Sequence, residues 1–169
     1  MSVVIRLTES ELAQAATIAT ARMGSARARG ASDRLPTGQY WDAWGAHVLG
    51  ICGEQAVARQ LGLYWPPSII YRKGDPDIPP DIEVRTANRS AADLVVRSDD
   101  DLGRWFVLAT LAAVDRGLPS AIRIVGRIRG TDARRPDRWL DRGGVGRPAW
   151  FVAQADLIPI EPGTTAQAS

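Results

Sequence analysis

Between Asp75 and Thr86 the chain reads Asp-Pro-Asp-Ile-Pro-Pro-Asp-Ile-Glu-Val-Arg-Thr, which places four carboxylates and one guanidinium within a dozen residues. Carboxylates at this density repel one another, and a solvated loop tolerates that better than a buried face does. Glu83 lies between Ile82 and Val84 in an apolar alternation, so a strand here would partly bury it. A positive group is therefore expected beside it. The sequence offers Arg85, two residues on and so on the same face, or a divalent cation held by oxygen ligands. The second would make the chain an enzyme.

A further carboxylate with unusual surroundings is Glu54. His47, Gly50 and Ile51 precede it and Val57, Ala58 and Leu61 follow it at helical spacing, which puts it on a largely apolar side of a helix. Gly50 and Gly53 each lower helix propensity by up to about 1 kcal/mol. Glycines kept there point to close approach of another element beside Glu54.

Composition narrows the chemistry available. The 169 residues are 45% hydrophobic, enough for the core of one domain. Cys52 is the single cysteine, which excludes an internal disulfide and a cysteine-based zinc site and suits a reducing compartment. His47 is the single histidine, which excludes histidine-dependent triads, multi-histidine metal centres and the usual general base. Any reaction must run on carboxylates, arginines and water, with or without a metal. No apolar run approaches the roughly 18 residues of a membrane span, and Met1 to Thr8 lacks the apolar core of a signal peptide. A soluble cytoplasmic protein that does not engage the membrane is expected.

Charge is unevenly spread although the net value is only +2. Asp75 to Asp101 carries eight acids against three arginines, an acidic excess of five; Ala121 to Ala149 carries eight arginines against three aspartates, a basic excess of five. A basic region beside an acidic centre is what a metal-dependent enzyme acting on nucleic acid needs; a merely charged surface has the same composition. Arg123, Arg127 and Arg129 alternate with Ile122, Ile124 and Ile128, so a regular strand would set all three on one face, able to follow a phosphate backbone. Arg134 and Arg135 extend the same basic region.

The elements that must position these residues are legible in part. Val3 to Leu7 reads as a short strand or an ordered tail. Thr8-Glu9-Ser10-Glu11 has the form of a capping box and starts a helix with Leu12, Ala15, Ala16, Ala19 and Met23 on one face, fraying into Gly24 to Gly30. Arg22, Arg27, Arg29 and Arg34 read as mobile basic surface. A second helix is predicted from Gly38 to Leu61, stopped by Gly62 and Pro66-Pro67, with Trp41 and Trp44 in the core. Short apolar runs then predict strands at 69–71, 82–86, 94–97, 105–111, 122–128 and 150–153, with Ser98 to Gly103 a turn between neighbouring strands. Asp132 to Leu140 reads as a short helix broken at Pro136. The expected architecture is α/β (α+β): N-terminal helices packed on a mixed central β-sheet, residues 1–162 forming one domain and residues 163–169 a disordered tail.

The order Glu54 on a helix, an acidic loop, Asp77, then Glu83-Val84-Arg85 on a strand resembles the PD-(D/E)XK phosphodiesterase superfamily of restriction-endonuclease-like nucleases. The resemblance covers Gly53 to Thr86, and Gly53-Glu54-Gln55-Ala56-Val57-Ala58 is similar to the opening of resolvase-like members. It implies a restriction-endonuclease-like fold and metal-dependent hydrolysis of phosphodiester bonds in DNA, with Mg2+ or Mn2+ as cofactor. It further implies Asp77, Glu83 and the Val84 carbonyl as metal ligands, Glu54 acting through water or a second metal, and Arg85 orienting the attacking water or stabilising the transition state. A homodimer would serve double-strand cutting. Two departures stand out. Arg85 occupies the position that is most often lysine and cannot act as a base at ordinary pH, while the sole lysine, Lys73, lies earlier. The spacing from Asp77 to Glu83 is short, which leaves Asp75 and Asp81 as substitutes for Asp77. A protein of the same fold that binds nucleic acid or another protein without cutting is the rival reading, and an interaction protein with a solvated acidic loop is a third.

Overall fold

The computed structural model describes residues 2–28, 43–69, 74–142 and 146–163. Thr8 and Glu11 close the reciprocal cap that their spacing predicts: the Thr8 N–H donates to Glu11 Oε2 (2.6 Å) and the Glu11 N–H to Thr8 Oγ1 (3.2 Å). Helix α1 (Glu9–Ala28) follows, and it runs on through Gly24 instead of fraying there. Its alanine-rich face buries Ala15, Ile18 and Ala19 against α2 (Ala43–Leu61). The predicted first turns of the second helix, from Gly38, and the core position of Trp41 lie outside the described residues. Trp44 is half-buried and donates its indole N–H to Thr20 Oγ1 (3.1 Å).

Strand β1 (Val3–Arg6) pairs with the late strand β5 (Leu118–Arg129), which pairs with β4 (Trp105–Asp115), which pairs in turn with β2 (Ile82–Ala87). The β1–β5 and β4–β5 pairs are antiparallel and β2–β4 is parallel, so the four-stranded sheet is mixed and β2 is one of its edges. Arg116 and Gly117, both with positive φ, form the two-residue turn of the β4–β5 hairpin.

A second sheet was not expected. Strand β3 (Leu94–Val96), strand β6 (Trp139–Leu140) and strand β7 (Ala149–Val152) form it, with β7 in the middle and both pairings antiparallel. The Ser98–Gly103 turn therefore joins strands of different sheets. The predicted Asp132–Leu140 helix resolves into α3 (Gly130–Ala133), a 3-10 turn over Pro136–Arg138 and β6. The predicted strand at 69–71 and the sole lysine, Lys73, fall largely or wholly outside the described residues.

The four-stranded sheet separates two cores. Val84, Val107, Ala109, Ile122 and Ile124 face the helices, while Phe106, Leu108 and Ile128 face Leu94, Val96 and Val152 of the small sheet. β4 alternates regularly between the two. β5 does not, because its register slips where Leu108 pairs Gly126 but Ala109 pairs Ile124, leaving Val125 as an extra residue. Beyond this bulge the side chains change face. Arg127 and Arg129 pair with Val107 and Trp105 on the helix face, and Arg123 pairs with Thr110 on the other. The expected row of three arginines on one face is thereby corrected.

Among the described residues no helix is long and apolar enough to cross a membrane. Gly163, the first residue of the expected tail, is docked through its N–H to the Gln60 carbonyl (3.1 Å); residues 164–169 lie outside the described residues.

Candidate functional site

Gly53 sets how closely α2 lies on β2. A Cβ placed on it would stand 3.0 Å from Thr86 Cβ and Cγ2 and closer still to Thr86 Oγ1, so only a glycine admits this contact. Gly50 meets nothing within 4 Å, so the expected close approach belongs to Gly53 alone. The next residue, Glu54, is thus carried to the edge strand, and only 7% of its surface is exposed.

Burying that carboxylate requires compensation. Arg22 of α1 supplies a two-pronged ion pair, Nη1 to Oε1 (3.1 Å) and Nη2 to Oε2 (3.3 Å), and the Trp65 indole N–H donates to Oε2 (3.0 Å). Arg22 Nε also donates to the Ser68 carbonyl (2.9 Å). Arg22 is therefore an internal partner of Glu54, not the mobile surface group that its position in the chain suggested.

Asp77 precedes a tight reversal in which Ile78 and Ile82 exchange both backbone hydrogen bonds (3.1 and 3.0 Å). The short spacing to Glu83 is thus the length of a hairpin that folds Asp77 back against the free edge of β2. There its Oδ2 accepts the Val84 N–H (2.8 Å). A strand residue's N–H and C=O point to the same side, so the Val84 carbonyl faces the same edge as Asp77. Burial and the charge of Glu54 push the Asp77 carboxyl up to about 6, against the Val84 hydrogen bond, which favours the charged form.

Glu83 and Arg85 pair across the parallel ladder with Phe106 and Leu108, which places both on the small-sheet face of β2. Glu83 is buried (6% exposed), and burial followed by the Asp77 charge raises its proton affinity. Its chief counter-charge is Arg104, whose Nη1 lies 2.5 Å from Oε1; Arg85 Nη1 is 3.5 Å from Oε2. Arg104 Nη2 also donates to the Gly74 carbonyl. Arg85 is turned mainly toward the small sheet: Nη2 pairs with Asp100 Oδ1 (2.8 Å), Nε donates to the Val95 carbonyl (3.4 Å), and the guanidinium lies 5.5 Å from the Phe106 ring centre. Burial alone would lower the Arg85 value, but Asp100 and Glu83 outweigh it and hold the group firmly charged.

The two substitutes for Asp77 lie elsewhere. Asp75 is exposed, and Asp81 is engaged by Arg129 Nη1 (2.8 Å). Of the predicted set, Glu54, Asp77 and Glu83 form a chain of mutual repulsion, Asp77 feeling Glu54 and Glu83 feeling Asp77. Sequence reasoning missed Arg22, Trp65, Arg104 and Asp100. The signal for Arg104 was its place at the head of β4, but that becomes informative only once β4 is known to lie beside β2.

A divalent metal can be weighed against this arrangement. Among the described residues no three His, Cys, Asp or Glu side chains form a group that would hold a metal ion as they stand. The donors a hard cation would draw on are the Asp77 and Glu83 carboxylates and the Val84 carbonyl; burial first, and the charge of a neighbouring carboxylate second, raise the proton affinity of Asp77 and of Glu83. In the present arrangement the guanidinia of Arg22 and Arg104 neutralise Glu54 and Glu83.

The basic residues divide into three groups. Arg123 bonds Thr110 Oγ1 (3.1 Å) and the Ser90 carbonyl. Arg127 and Arg129 lie over the Trp105 ring, 4.4 and 4.5 Å from its centre. Arg134 and Arg135 are exposed beyond α3. Comparison of the chain with protein-family models, curated proteins and solved structures found no match.

Proposed function

We propose that the chain is a restriction-endonuclease-like, metal-dependent nuclease that hydrolyses phosphodiester bonds in DNA. The observation that supports this reading is Asp77 folded onto the edge of β2, its Oδ2 on the N–H of Val84 (2.8 Å) next to the buried Glu83, with Glu54 brought to the same strand from the helix face. Asp77, Glu83 and the Val84 carbonyl would hold Mg2+ or Mn2+, with Glu54 beside them. The bound ion would supply a polarised phosphoryl oxygen and an activated water.

The chain's own residues do the rest. Gly53 and Thr86 fix the depth of Glu54, and the Val84 N–H aims Asp77 along the strand edge. Arg104 and Arg85 bring permanent positive charge to Glu83, where they can neutralise a phosphate once a cation takes the carboxylate. Cutting both strands of a duplex would take two copies of the chain.

The test is cleavage of supercoiled and branched DNA with magnesium or manganese, by the wild type and by Glu83→Gln. Metal-dependent products that vanish in the variant and in chelator are expected. No metal-dependent cleavage of any substrate would sink the proposal. A second reading, a nuclease-like protein that binds nucleic acid or another protein without cutting, is favoured by the Arg22 and Arg104 ion pairs on two of the three carboxylates. It predicts binding that fades with salt and no product.

A further inference from the structure

We infer that Trp139, Trp150 and Arg134 form a stacking platform for unpaired nucleotides, making single-stranded or branched nucleic acid the ligand; this deepens the nuclease reading and rests on it. Trp139 opens the edge strand β6 and is 38% exposed, beside Leu140 at 41%. Its ring lies 4.6 Å from that of Trp150 with the planes tilted by 51°, so one indole is backed by another and held in place. The Arg134 guanidinium stands 6.0 Å from the Trp150 ring centre.

The surroundings of this exposed indole decide which partner it fits. Arg134 and Arg135 are both exposed, within a stretch of eight arginines and three aspartates. The Arg135–Asp137 pair (3.1 Å) joins two exposed groups, and such a pair is worth about 0–1 kcal/mol, readily exchanged for a phosphate. Arg138, by contrast, is buried and committed to Asp156 (3.0 Å) and the Asp132 carbonyl (2.9 Å). Aromatic faces beside exposed arginines recognise the π-face and the phosphate of an unstacked nucleotide together. A duplex presents its phosphates but keeps its base faces stacked.

The platform also lies at the end of the molecule that holds the acidic site. β5 ends at Arg129 opposite Trp105, and the Gly130 N–H then donates to the Arg104 carbonyl (3.0 Å), the residue whose side chain holds Glu83. In the small sheet Val96, Trp150 and Trp139 form one cross-strand row, and Val96 leads into the turn whose Asp100 holds Arg85.

The test is fluorescence anisotropy of labelled oligothymidylate and of a duplex of equal length with the full chain, in chelator and at low salt, so that cleavage plays no part. The wild type is expected to prefer the single strand. Trp139→Ala should weaken single-strand binding about five- to a hundred-fold and leave duplex binding nearly unchanged, while Trp139→Phe retains most of the affinity. Arg134→Ala, at an exposed site that tolerates truncation, should weaken binding and flatten its salt dependence by about one phosphate. A wild type that prefers duplex, or single-strand binding unmoved by Trp139→Ala and Arg134→Ala, overturns the platform and leaves the nuclease reading standing. Binding to neither form overturns both. A shift from dimer to monomer in light scattering on changing Trp139, with DNA binding unmoved, would make this face a contact between copies and overturn the proposal.

Discussion

Replacing Gly53 with alanine isolates the contact that delivers Glu54 to the strand edge. The added methyl would lie 3.0 Å from two Thr86 carbons and closer to Oγ1, in a place bounded by α2 and β2. Overpacking of this kind costs about 1–3 kcal/mol, and the better helix propensity of alanine returns up to about 1 kcal/mol. A net loss of up to about 2 kcal/mol is expected, a fall in Tm of up to roughly 8 °C for a chain of this size. Thr86→Ala removes Oγ1 and Cγ2, and Oγ1 is buried without a hydrogen-bond partner among the described residues, so that change sacrifices no bond seen there. In a double-mutant cycle by urea unfolding the helix-propensity contribution cancels, leaving a coupling of about 1–3 kcal/mol in which Thr86→Ala rescues Gly53→Ala. The single Gly53→Ala variant should also move Glu54 away and lower the Asp77 carboxyl from about 6 by the smaller part that the Glu54 charge adds to burial, read by NMR titration. A coupling below about 0.5 kcal/mol, with Asp77 unmoved, would refute the account of how α2 places Glu54.

Asp77 binds its proton more tightly in the folded chain than in the unfolded one, so its contribution to stability is full below about 3.8 and is lost as pH rises through about 6. Asp77→Asn should remove that downward slope between pH 4 and 7 in chelator, and identical slopes for variant and wild type would contradict it. Arg22→Ala leaves Glu54 buried with only the Trp65 N–H among these partners and should cost on the order of 3–5 kcal/mol in urea unfolding, far more than Arg135→Ala on the surface. Burial, with Glu11 and Glu54 adding to it, pushes the Cys52 thiol up to about 12, so Cys52 should react with a thiol reagent at pH 8 only as fast as the chain unfolds.

Features written in adjacent residues were readable, and those written in pairing were not. The Thr8–Glu11 cap and the apolar surroundings of Glu54 follow from spacing within a few residues. Arg104 was hidden because it meets Glu83 only through the parallel β2–β4 ladder, which no local pattern announces. Arg22 looked like surface because its partner lies 32 residues away on another helix. Strands near 94–97 and 150–153 were legible, but that they pair with each other in a separate sheet was not, and the two-residue β6 carries almost no periodic signal; the bulge at Val125 escaped notice because an extra residue leaves the alternation of isoleucine and arginine intact in the sequence.

That bulge bears on how any polyanion would be held. Arg123 and the pair Arg127 and Arg129 open onto opposite sides of a strand that is flanked by β1 and β4, so one phosphate backbone cannot run along all three. The number of counterions released on binding, and with it the slope of affinity against salt, is then set by the groups of a single face and not by the total of arginines in the chain.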